Sequence, residues 1–176
     1  QGLTSKDEAI AVRFDAQHIH EGTAPELARP AFLGIVASAD LAEALANLPD
    51  APDGFIVEEP SAGGHNAPPR GPRQMDDLGQ PVYDERDKVD LSRLAEIGLP
   101  FWLAGSYGTP SGLAQALREG AAGVQVGTAF AFCKESGLQE DLKREITTQV
   151  LDGTIEVRAD WRASPTGFPF RIVQLD

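Results

Sequence analysis

Four short apolar runs, each followed by a stretch with helical periodicity, constrain this chain more than any other feature. The runs are AFLGIVA (31–37), DGFIVEE (53–59), PFWLAGS (100–106) and AGVQVGTAF (122–130). None alternates strictly between apolar and polar residues, which is the pattern of strands covered on both faces of a parallel sheet. After the first run, Ser38 or Asp40 stands ready to cap LAEALANL, with Leu41, Ala44, Leu45 and Leu48 on one face. After the third, Thr109 occupies an N-cap position, Pro110 the first helical position, and Gly120 the place just past the end. Segments 90–98 and 137–153 carry the remaining helix signals, each with a glycine stop.

Repeated strand and helix units predict a parallel α/β fold, either a doubly wound sheet or a (β/α)8 barrel. A complete barrel ordinarily takes roughly 200 residues or more, so four units in residues 31–153 imply a barrel fragment, about half of one. The four strands are expected to lie parallel and adjacent in chain order. Residues 1–30 read as an N-terminal arm in which AIAVRFDAQHIHEG (9–22) is a weak strand or connector. Residues 154–176 read as a short C-terminal extended segment, two runs around a Pro/Gly turn.

Composition narrows the function. With 27 acidic against 15 basic residues the net charge is −12, which repels phosphate backbones and anionic lipid faces. Nucleic acid and membrane are therefore not expected partners, and no apolar run approaches the ~20 residues that cross a bilayer. The single cysteine, Cys133, forms no internal disulfide and agrees with a cytoplasmic, reducing compartment. Neither HExxH nor CxxC is present, and no metal is expected. The chain starts at Gln1 and its only methionine is Met75, so a piece of a longer polypeptide is expected.

Parallel α/β folds bind ligands at the C-terminal ends of their strands. The unusual residues of this chain fall there: Gly63, Gly64 and His65 after the second strand, Gly105, Ser106 and Gly108 after the third, Gly127 and Thr128 after the fourth. Glycines let backbone N–H groups approach an anion closely, and the third loop leads into the N-terminus of the Thr109 helix. Together they outline a phosphate cradle, although each glycine alone suits a tight turn. His65 follows two glycines at a strand mouth, and its reference pKa of about 6.5 suits proton transfer; His18 and His20 read as solvated.

AGGH (62–65), LAGSYGTPSGLAQALREGAAGVQVGTAF (103–130), ES (135–136) and SPTGFPF (164–170), at this spacing, resemble the nitronate monooxygenase family, formerly 2-nitropropane dioxygenases, which includes FMN-dependent enoyl-ACP reductases. The resemblance implies the second half of an FMN-binding TIM barrel. It implies that His65 is the catalytic histidine, that Gly63 and Gly64 lie in the flavin loop, and that Gly105 and Ser106 take the place of a Gly-Gly pair. Gln125, Val126, Gly127 and Thr128 match the family's phosphate segment. Two departures stand out. Ser106 replaces the second glycine, and Glu58 stands where many members carry a flavin-binding glutamine; an ionised carboxylate accepts only. The expected activity is oxidation of an alkyl nitronate or similar small carbon acid with oxygen. NAD(P)H-linked enoyl reduction and an inactive, partner-binding half-barrel are the rivals. A second copy or a missing N-terminal half is expected to complete the barrel, and residues 66–87 are expected to form a lid or partner surface.

Overall fold

The computed structural model describes Asp15 and residues 27–175, so the expected strand or connector at 9–22, with His18 and His20, lies outside the described residues apart from Asp15. In chain order the elements are β1 (Leu33–Val36), α1 (Ala39–Ala46), β2 (Gly54–Glu58), β3 (Gly64–His65) and a 3-10 turn at Glu85–Asp87. There follow α2 (Leu91–Glu96), β4 (Phe101–Ala104), α3 (Pro110–Arg118), β5 (Gly123–Gln125), α4 (Thr128–Ala131), α5 (Glu140–Asp152), β6 (Val157–Asp160) and β7 (Phe170–Val173).

Strands β1, β2, β4 and β5 form one sheet in that order, parallel throughout, as consecutive strand and helix units require. The register places Val36 beside Val57 and Val57 beside Leu103, with Phe55 beside Phe101. These five residues share the face that the helices cover. Ala39, Ala42, Leu94 and Ala116 pack against them, and all nine are buried. Small alanines on α1 and α3 let the helices sit close to the large strand residues, and each fully buried Phe or Leu contributes roughly 1.5–3 kcal/mol.

The opposite face is different. Ile35, Ile56, Trp102 and Gly123 lie in one row across the sheet. No described layer covers that row completely, and Ile35 is 56% exposed. Four parallel strands with helices on one face and an open apolar row on the other are a barrel fragment, with β1 and β5 as edges.

The helix starts follow local chemistry. The Ser38 hydroxyl accepts from Leu41 N at 3.1 Å to begin α1, and Thr109 Oγ1 accepts from Gly112 N at 3.0 Å to begin α3. Asp90 caps α2 by accepting from Ser92 N and Arg93 N. Gly153, at φ 69, ends α5.

The fourth strand is shorter than its apolar run predicts. It stops at Gln125, and Thr128–Ala131 turns into the short helix α4 instead of continuing to residue 130. After α5, β6 and β7 pair antiparallel, and β7 adds the two-residue β3, so the GGH loop is stitched to the chain's last hairpin. Among the described residues no helix is long and apolar enough to cross a membrane.

Candidate functional site

The C-terminal ends of β2, β4 and β5 open on one side of the sheet into a cavity of about 440 Å³. That volume lies within the range of small-molecule sites. Gly63, Gly105, Ser106, Gln125, Val126, Gly127 and Thr128 all line it, so three loops far apart in sequence converge. Gly64 and His65 are not in the lining.

Close approach explains two of the glycines. A Cβ at Gly63 would lie 2.9 Å from Thr128 Oγ1, so the first and third loops touch only because residue 63 has no side chain. Gly105 has φ 111, and a Cβ there would lie 2.7 Å from Ser61 Oγ. Ser106 follows at φ 59, the single non-glycine positive φ among the described residues. The serine thus takes the left-handed conformation that a glycine would adopt freely, and the loop keeps its path. At Gly127 the space where a Cβ would project is open.

Gly127 is also the N-cap of α4, and as a glycine it has no side chain to cap the first turn. The N–H groups of Thr128 and Ala129 therefore begin a helix without a side-chain acceptor, beside an open cavity. In barrels, a short extra helix after the last strands commonly supplies N–H groups to a phosphate. The apolar TAF run hid this turn, since short apolar segments do not distinguish strand from helix.

Arg171 is a residue the sequence reading missed. It projects from β7 into the same cavity, is half-buried, and forms no ion pair with any described carboxylate. Its signal was a lone arginine inside the apolar run FRIV. Glu58, at the end of β2, lines the cavity too, and burial pushes its carboxyl above the ordinary range. Tyr107 closes one wall: its hydroxyl donates to Glu59 Oε1 at 2.8 Å, and burial, then that bond, push its ionisation up.

His65 sits two residues beyond Gly63, exposed, on the rung shared with β7. Its Nε2 and the Ser164 hydroxyl are 2.6 Å apart, and Ser164 Oγ lies 2.8 Å from Thr166 Oγ1. Phe170 meets the imidazole edge-on at 4.5 Å between ring centres. Ser164 is buried, 6% exposed, so the ring is held by a fixed partner. Asn66, also buried, pins the loop: its backbone N–H donates to Pro169 O and its Nδ2 to Ala62 O. These contacts give SPTGFPF a physical role as the frame of the histidine.

The insertion after His65 is anchored elsewhere. Arg70 donates to Ala37 O and Arg86 O, and Tyr83 to Ala67 O. The Arg73 guanidinium lies 3.7 Å over the Trp161 ring. No residue of 66–87 lines the strand-end cavity; Arg73, Met75 and Gln80 border a separate one of about 550 Å³ against the β6–β7 hairpin.

A family model described as "Nitronate monooxygenase" matches residues 3–164 of this chain. The chain belongs to the nitronate monooxygenase family. Two curated relatives are each named (3aS,4S,5R,7aS)-5-hydroxy-7a-methyl-1-oxo-octahydro-1H-indene-4-carboxyl-CoA dehydrogenase. The protein from Mycobacterium tuberculosis is 30% identical over 125 residues, and that from Rhodococcus jostii 32% over 125. Each alignment covers 70% of this chain and 30% of the relative. Among solved structures, nitroalkane oxidase from Streptomyces ansochromogenes superposes with a TM-score of 0.57 at 25% identity, covering 79% of this chain and 37% of that one. A FabK mutant from Thermotoga maritima shares the fold, with a TM-score of 0.51, 23% identity and 80% and 39% coverage. The chain thus spans about a third of the length of the proteins it matches, and its four strands correspond to part of a TIM barrel.

Proposed function

We propose that this chain forms the cofactor half of an FMN-dependent oxidoreductase that oxidises an alkyl nitronate or a similar small carbon acid with oxygen as acceptor. The observation that carries the reading is the convergence of Gly63, Gly105–Gly108 and Gln125–Thr128 on one cavity that also holds Arg171. The residues fit the group: uncapped N–H groups at the start of α4, the open space at Gly127 and the Arg171 cation suit a phosphate. When bound, FMN supplies the electron acceptor.

The chain's own residues then divide the work. The loops at 105–108 and 125–128 bind and orient the phosphate end, while Arg171 offsets its charge. His65 moves the proton at the substrate carbon. With Ser164 on Nε2, Nδ1 is the nitrogen left for that transfer. The barrel is completed by a second copy or an N-terminal half, which covers the Ile35, Ile56 and Trp102 row.

A second reading is an NAD(P)H-dependent reductase acting on an acyl thioester; the names of the two curated relatives, each a carboxyl-CoA dehydrogenase, favour a thioester substrate. Assaying nitronate-dependent oxygen uptake beside NAD(P)H oxidation separates the two. The cofactor and proton roles are tested in the assembled barrel. His65→Ala is expected to lower turnover by roughly 10²–10⁴-fold with FMN content nearly unchanged. Thr128→Ala, or a bulky residue at Gly127, is expected to lose FMN first. Wild-type turnover in His65→Ala would remove the proton role.

A further inference from the structure

Glu58 ends β2 at the cavity rim, on the sheet face it shares with Gln125 through Ala104. Only two charged side chains line the cavity among the described residues, Glu58 and Arg171. No described group hydrogen-bonds the Glu58 carboxyl or pairs with it. An unpaired, half-buried carboxylate is costly, and desolvation alone accounts for the upward displacement of its pKa. In the neutral form the group is an O–H donor, which reverses the acceptor-only role expected of an ionised glutamate.

We propose that Glu58 acts as a neutral acid that donates a hydrogen bond to the flavin held in the strand-end cavity, so that its ionisation weakens binding. This rests on the cofactor reading above. Most of the groups that face Glu58 have hydrogen-bond partners of their own. Tyr83, across the small pocket formed with the insertion, is pushed up to about 12 by burial and by Asp87. Arg70 is spent on carbonyl oxygens, and Asp87 accepts from the backbone N–H groups of Arg70 and Asp84. From β7 comes the Arg171 guanidinium. The neighbouring Glu59 accepts from Tyr107 instead. As pH rises, the neutral donor becomes a carboxylate facing the ligand, so affinity is highest on the acid side and falls through the raised carboxyl range.

The test is a fluorescence titration of the assembled barrel with FMN, and separately with riboflavin, from about pH 4, within the ordinary carboxyl range, to about pH 9. Riboflavin lacks the phosphate, which itself titrates in this window. Wild-type affinity for both flavins is expected to fall roughly threefold to tenfold with rising pH, the size of one neutral hydrogen bond. Glu58→Gln, which keeps a donor, should hold the acid-side affinity throughout. Glu58→Ala should show the weaker affinity throughout. Parallel profiles for wild type and Glu58→Gln overturn the role of Glu58 and leave the cofactor reading standing. A pH dependence seen with FMN and absent with riboflavin assigns the effect to the phosphate and also overturns it. Failure of every protein to bind either flavin overturns the cofactor reading and this role with it.

Discussion

Ser106 at φ 59 places a β-carbon where only glycine sits without strain, at a cost of roughly 1–2 kcal/mol. Ser106→Gly relieves that cost and adds unfolded-chain entropy of about 0.4–1 kcal/mol against it, so the net gain in stability is expected to stay below about 1.6 kcal/mol. Ser106→Val, stiff at χ1, is expected to lose more than about 1 kcal/mol. Urea midpoints measure both, and a stabilising valine would contradict the backbone argument. In the proposed reaction Ser164 acts through His65. Ser164→Ala removes the 2.6 Å partner of Nε2 and frees the ring. It is expected to lower kcat by roughly threefold to tenfold, the worth of about one hydrogen bond, with KM nearly unchanged and with rescue by threonine. Lowered stability with kcat unmoved would make Ser164 purely structural. The glycine loops were legible at this scale because their spacing places them at strand ends. Arg171 was not, since only the β3–β7 rung, formed across more than a hundred residues, brings it to the cavity.

Among the elements, α3 was the most legible, since Thr109, Pro110 and Gly120 each carry a local conformational reason for their place. Thr109→Ala is expected to cost about 1 kcal/mol, within a range of roughly 0.5–2, through the lost bond to Gly112 N. A thermal melt unchanged from wild type would contradict the capping role. The strand faces carry more. Leu103 is fully buried between Val57 and the helices, and Leu103→Ala is expected to cost roughly 2–5 kcal/mol. Two elements escaped the sequence. The α4 turn lacks a capping side chain to announce it, and its apolar residues read equally well as strand. The two-residue β3 is too short for any periodicity, and its existence depends on β7.

At the scale of the molecule, the sheet has two open edges and an inner row led by Ile35, with Phe32 57% exposed just before β1. Open apolar edges invite pairing. The chain alone is expected to self-associate or to bind the remaining barrel strands, and sedimentation showing a stable, well-folded monomer would contradict this. Half-barrel topology was legible from the strand and helix repeat because parallel order follows from short right-handed crossovers. The partner proposed to complete the barrel was not, since no periodicity within one chain encodes a neighbour outside it. In the proposed cofactor site the strand-end loops at 105–108 and 125–128 hold the flavin phosphate. A crystal structure of the assembled barrel grown with FMN tests it directly: phosphate density is predicted between Ser106–Gly108 and Gly127–Thr128, within reach of Arg171, and an FMN phosphate bound elsewhere, or none, would contradict it.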